Sequence, residues 1–70
     1  MSIQNLIKNW LDEVDLAKDS AAVELVDRIL RAAADIGAGD IHLQPSSQGI
    51  ELRYRIDGVL HTAGMLPVGV

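Results

Sequence analysis

An α+β fold, two N-terminal helices followed by a three-stranded, mainly antiparallel sheet, is what this 70-residue sequence predicts. Three observations carry the expectation. Apolar residues recur at helical spacing as far as Ile36, the period changes to two from Asp40 onward, and an Asp57-Gly58 pair divides two alternating runs.

The first helix is predicted over residues 2–16. Ile3, Leu6, Ile7, Trp10, Leu11 and Val14 form one apolar stripe, and Ser2 is its N-cap, because a hydroxyl can accept from a free N–H of the first turn. Asp12, Glu13 and Asp15 crowd the C-terminal end, where the macrodipole disfavours acids, so that end is expected to fray. A polar break with cap residues Asp19 and Ser20 leads to a second helix over residues 21–36. Its predicted buried side is Ala22, Val26, Ile29, Leu30, Ala33 and Ile36, with Leu25 at the margin. Glu24–Arg28 and Asp27–Arg31 are its expected i,i+4 ion pairs. Gly37 supplies the left-handed C-cap.

Asp40-Ile41-His42-Leu43-Gln44 then alternates as a strand, ending at Pro45, and residues 45–49 have loop chemistry. From Ile50 to Ile56 the alternation places Ile50, Leu52, Tyr54 and Ile56 on one face and Glu51, Arg53 and Arg55 on the other. Asp57-Gly58 fits a two-residue hairpin turn, which sets Tyr54 opposite His61, Arg53 opposite Thr62 and Arg55 opposite Leu60. Residues 65–70 are expected to be a tail. The domain expectation is an N-terminal helix and linker over residues 1–20 and an αβββ partial domain over residues 21–70.

Composition narrows the class. A hydrophobic fraction of 49% suits a folded chain, while a net charge of −4 with one Trp and one Tyr argues against a nucleic-acid binder. The absence of cysteine removes disulfides, thiolate metal sites and cysteine nucleophiles together. No apolar run approaches a membrane span or a secretory signal, so a cytoplasmic chain with no direct membrane insertion is expected.

The candidate chemical groups are few. Gly37-Ala38-Gly39 follows a helix and precedes a strand, the reverse of a phosphate-binding loop. Asp40 and His42 share a strand face, but His61 falls on the other, and a metal needs three or four converging ligands. No metal site and no nucleophile–base pair is expected. Arg53 and Arg55 project together from one strand, placed either for a phosphate or carboxylate contact or for a solvated face with Glu51 and Asp57. The stripe bearing Leu6, Ile7 and Trp10 either packs on its own sheet or docks on another protein.

Two motifs carry a family resemblance. Ala38-Gly39-Asp40-Ile41-His42-Leu43-Gln44-Pro45, followed by Leu52-Arg53-Tyr54-Arg55-Ile56-Asp57-Gly58-Val59-Leu60-His61, resembles the domain preceding the ATPase core in type II secretion and type IV pilus assembly ATPases. The resemblance covers about residues 22–67. Gly39 stands where that family usually has serine, and the Walker motifs of the core have no counterpart here, which implies a truncated piece. The resemblance further implies a non-catalytic part of an oligomeric ATPase, with ATP and Mg held by the parent protein and no cofactor in this fragment. Its implied partners are the ATPase core of the same or a neighbouring subunit and inner-membrane platform proteins, so the fragment would be peripheral to the inner membrane. Arg53 and Arg55 become candidates for nucleotide or interface contacts. Gly37, Asp40, His42, Asp57 and Gly58 match as structural motif positions. The alternative is a free-standing interaction module that docks through its first helix.

Overall fold

The computed structural model describes residues 3–67. A 3-10 turn, Ile3–Asn5, leads into helix α1, Leu6–Glu13, and then helix α2, Ala21–Ile36. Strands β1 (Asp40–Ser46), β2 (Gly49–Ile56) and β3 (Val59–Leu66) follow and form one antiparallel sheet in the order β1-β2-β3. The helices cover one face of the sheet, with α1 over β3 and α2 tied to β2. The architecture is the α+β arrangement read from the sequence.

α1 is shorter than its periodicity suggests. Val14 turns to extended geometry, with φ −93° and ψ 129°, while its N–H still donates to the Trp10 carbonyl at 2.8 Å. Beyond it the Asp15 carboxylate accepts from the Ala17 N–H at 3.0 Å, a local turn bond that competes with helix continuation. Ser2, the expected cap, lies outside the described residues.

α2 has the predicted bounds, and Ile29, with Ala33 and Ile36 partly buried, packs on the core as expected, but the buried side is rotated away from Ala22, Val26 and Leu30. Ala21, Leu25 and Ile29 face the core, so Leu25 is its centre, whereas Val23, Val26 and Leu30 are 71, 53 and 58% exposed. The helix is apolar around more than half its circumference, and periodicity alone could not choose which part of that arc meets the sheet. Ser20 makes no side-chain cap bond. Arg28 pairs with Glu13 at 2.8 Å rather than with Glu24, drawing the end of α1 against α2, while Arg31–Asp27 forms as expected at 2.8 Å. Gly37, at φ 72°, closes α2 with paired bonds from Ala38 N–H to the Ala33 carbonyl (2.9 Å) and from Gly37 N–H to the Ala34 carbonyl (3.4 Å). This Schellman arrangement satisfies two terminal carbonyls and turns the chain into β1.

β1 continues through Pro45 to Ser46, because it is an edge strand where a missing N–H costs no ladder bond. Only Ser47 and Gln48 separate it from β2, with the Ser46 hydroxyl donating to the Gly49 carbonyl at 3.1 Å and accepting from the Gln48 N–H at 3.2 Å. Asp57 and Gly58, at φ 51° and 81°, lie between paired Ile56 and Val59. Met65 and Leu66, expected in a tail, belong to β3, and Leu66 is buried. The β2–β3 register slips between Leu52 and Arg53: Leu52 pairs with Gly64, Arg53 with Thr62, and Ala63 is the extra residue, fully buried. Such a bulge sharpens the local twist.

A single apolar cluster contains Leu6, Ile7, Trp10 and Val14 from the N-terminal segment together with Leu25, Ile29, Leu52, Tyr54, Ala63 and Leu66. At its centre the Tyr54 hydroxyl donates to the Ile29 carbonyl at 2.8 Å, and burial pushes its pKa up to about 12. Two glycines let backbone and helix close in. A Cβ at Gly49 would collide with the Leu66 carbonyl, and one at Gly64 would come 3.0 Å from the Ile7 Cβ.

Below pH 10 the tyrosine is protonated whether the chain is folded or unfolded. Above it the unfolded chain ionises first, so stability should fall by roughly 2–3 kcal/mol as pH climbs from 10 to about 12. Tyr54→Phe should cost about 1 kcal/mol at pH 7 and flatten that alkaline decline, as chemical denaturation at stepped pH would show. Gly49→Ala should lower stability by about 2 kcal/mol or more in the same assay, because backbone rather than a flexible side chain blocks the added methyl. A neutral outcome would mean that β2 and β3 can separate at this point.

Candidate functional site

The face of the sheet away from the helices carries the candidate site. Alternation along the three strands puts Asp40, His42 and Gln44 of β1, Glu51, Arg53 and Arg55 of β2, and Leu60, Thr62 and Met65 of β3 on it. The registers arrange them in cross-strand rows: Asp40–Arg55–Leu60, then His42–Arg53–Thr62, then Gln44–Glu51–Met65. β2 is the central strand, so the arginines rise from the part of the sheet held on both sides.

Each guanidinium is engaged within the chain. Arg53 pairs with Glu51, two residues earlier on the same strand, and Arg55 Nε lies 3.2 Å from Oδ2 of Asp40, its cross-strand partner. Neither Nε has a hydrogen bond, although both are shielded from solvent; the Arg55–Asp40 approach is close but off the hydrogen-bonding direction. An unsatisfied shielded donor costs roughly 1–3 kcal/mol, so these pairs hold the arginines without saturating them. A shallow depression of about 200 Å³, lined by residues including Gln44, Pro45, Glu51, Arg53 and Met65, opens beside Arg53.

The remaining sequence candidates are distributed as follows. Gly37 ends α2, Asp57 and Gly58 make the β2–β3 turn, and Asp40 and His42 lie in the arginine rows. His61 is paired with Tyr54 and so belongs to the other face. Among the described residues no three His, Cys, Asp or Glu side chains converge as a metal site would require. Leu6, Ile7 and Trp10 correct the docking reading of α1: they are 2, 1 and 7% exposed and pack into the chain's own core. The apolar stripe turns inward because β3 and α2 offer it a surface. Of the two surface partners expected for the arginines, Glu51 pairs with Arg53, whereas Arg55 pairs with Asp40 rather than with Asp57. Gly49, expected to end a loop over residues 45–49, instead begins β2, and neither Gly64 nor the bulge at Ala63 was anticipated. A glycine inside an alternating strand was the available signal for a close approach or bulge.

The structure defines a small helix-on-sheet module, one face of its sheet closed by helices and the other charged. Its sequence is similar to the type IV pilus assembly ATPase TfpB of Acinetobacter baylyi, 51% identical over 51 residues, which is 73% of this chain and 9% of the relative. Type II secretion system protein E of Xanthomonas campestris pv. campestris is 39% identical over 46 residues, 66% of this chain and 8% of that protein. The type IV pilus assembly ATPase PilB of Thermus thermophilus is 39% identical over 51 residues, 73% of this chain and 6% of that protein. The chain belongs to this family of type II secretion and type IV pilus assembly ATPases, and spans less than a tenth of the length of these three relatives. No family model matches the chain. No solved structure matches it either. Among the described residues no helix is long and apolar enough to cross a membrane.

Because both ion pairs are partly solvated, each should contribute less than about 1 kcal/mol to stability. A double-mutant cycle on Asp40 and Arg55, read by thermal unfolding, should give a coupling inside that limit. A coupling above about 2 kcal/mol would make Arg55 a structural residue of the sheet.

Proposed function

We propose that the chain is a non-catalytic module of a secretion or pilus-assembly ATPase. It makes contacts with the ATPase core of the same or a neighbouring subunit and presents Arg53 and Arg55 to nucleotide phosphate there. The observation that carries this reading is the arginine pair itself, set on the central strand of a sheet whose opposite face is packed under helices. Two guanidinium groups on rigid backbone lose little freedom when they meet phosphate oxygens and can bond them bidentately.

Supplied across an interface, such groups would offset phosphate charge and couple closure of that interface to the nucleotide bound. ATP and Mg would be held by the longer protein. Asp57 and Gly58 keep the β2–β3 turn tight. The exposed Val23, Val26 and Leu30 side of α2 supports contact with further protein surface, since that much exposed aliphatic side chain on one helix favours burial. In this setting the module works on the cytoplasmic side, reaching the inner membrane through platform proteins.

The test uses a chimera in which residues of this chain replace the matching segment of the Acinetobacter baylyi relative. The chimera should hydrolyse ATP, and Arg53→Ala or Arg55→Ala within it should lower turnover by about tenfold or more while leaving assembly state and melting temperature in place. Unchanged turnover in both variants would overturn the phosphate-contact role.

A further inference from the structure

We propose that Asp40 and Glu51 are competing carboxylates that occupy the two arginines until a highly charged phosphate displaces them; this rests on the reading of Arg53 and Arg55 as phosphate contacts. The pairing pattern is the starting observation. Each arginine has its own carboxylate from within the chain, Glu51 along the strand for Arg53 and Asp40 across the ladder for Arg55. The Arg53 and Arg55 side chains are 38 and 39% exposed, so an incoming anion can reach them without unfolding the sheet. Both Nε donors are shielded from solvent and without a hydrogen bond, so an anion meets the outer guanidinium nitrogens, whose several N–H groups one carboxylate cannot all occupy.

The geometry also gives the anion a way in. The depression beside Arg53 is lined by both members of the Glu51–Arg53 pair, so a phosphate seated there meets the guanidinium and the carboxylate together. Charge then decides the outcome. A carboxylate held nearby by the backbone resists replacement by a monoanion of equal charge, whereas a polyphosphate brings several charges and more acceptor oxygens than one carboxylate offers. The two acids therefore raise the charge an anion needs in order to bind, and they keep the arginines extended while the site is empty. No bond is made or broken in the exchange; each carboxylate is released to solvent as the phosphate takes its guanidinium.

The experiment titrates the 70-residue chain with sodium tripolyphosphate and, separately, inorganic phosphate, following the Arg53 and Arg55 Nε–H signals by NMR at low ionic strength. Tripolyphosphate should shift both signals at lower concentration than inorganic phosphate. Asp40→Asn and Glu51→Gln should each tighten tripolyphosphate binding roughly two- to fivefold, the range an exposed ion pair supplies. They should also narrow the preference over inorganic phosphate. Asp35→Asn, on α2 away from this face, should leave binding within about 1.5-fold of the parent, a small change against that range. Equal or weaker binding in both carboxamide variants, or equal tightening in Asp35→Asn, would overturn the competition. Failure of tripolyphosphate to move either guanidinium signal in any variant would overturn the phosphate reading itself.

Discussion

The Tyr54 hydroxyl, 2.8 Å from the Ile29 carbonyl, is the point where the helical layer and the sheet are fixed to one another. Tyr54 is fully buried on the central strand, and Ile29 is on the buried side of α2. A hydrogen bond in that position has a direction, which hydrophobic contact lacks, so it sets how far along β2 the helix sits and which way it is rotated. The surrounding aliphatic side chains supply the bulk of the burial. Leu25 and Leu52 pack beside the bond, and α1 completes the layer through Leu6, Ile7 and Trp10. In a chain this short the fraction of surface buried is small, so one well-placed polar contact in the core carries more of the specificity than it would in a larger domain.

From that anchor the functional face follows by geometry. Tyr54 points into the helices, and its neighbours Arg53 and Arg55 therefore point out, because side chains alternate along a strand. The same constraint that buries the tyrosine aims both arginines away from the core and holds their Cα atoms in a sheet paired on both sides. The carboxylates of Asp40 and Glu51 arrive on this face by the same rule, Asp40 through its register with Arg55 and Glu51 through its place two residues before Arg53. Charge and rigidity at the site are thus consequences of packing on the opposite side.

Much of this was legible in the residues. The strand pattern from Ile50 to Ile56 and the partners Arg53–Thr62, Tyr54–His61 and Arg55–Leu60 could be read from alternation and the position of Asp57-Gly58. The bounds of α2 were legible because Gly37 and the polar break before Ala21 are strong local signals. Its rotation was not. Val23, Val26 and Leu30 are as apolar as Leu25, and only the position of Tyr54 on a distant strand selects between them. The fate of the Leu6, Ile7 and Trp10 stripe was equally non-local, since an amphipathic helix has the same pattern whether it packs at home or on a partner. Pairing of Arg28 with Glu13, and of Arg55 with Asp40, depends on tertiary approach and leaves no trace in spacing along one helix or strand.

Both helices and the sheet form one cooperative core that fixes the arginine face. Urea unfolding followed by Trp10 emission and by far-UV circular dichroism tests it most directly, because Trp10 reports the packing of α1 while the dichroism is dominated by α2. A cooperative core unfolds in a single transition with coincident midpoints. Release of Trp10 at clearly lower urea, with α2 and the sheet still intact, would show that α1 is an accessory to the core and contradict it.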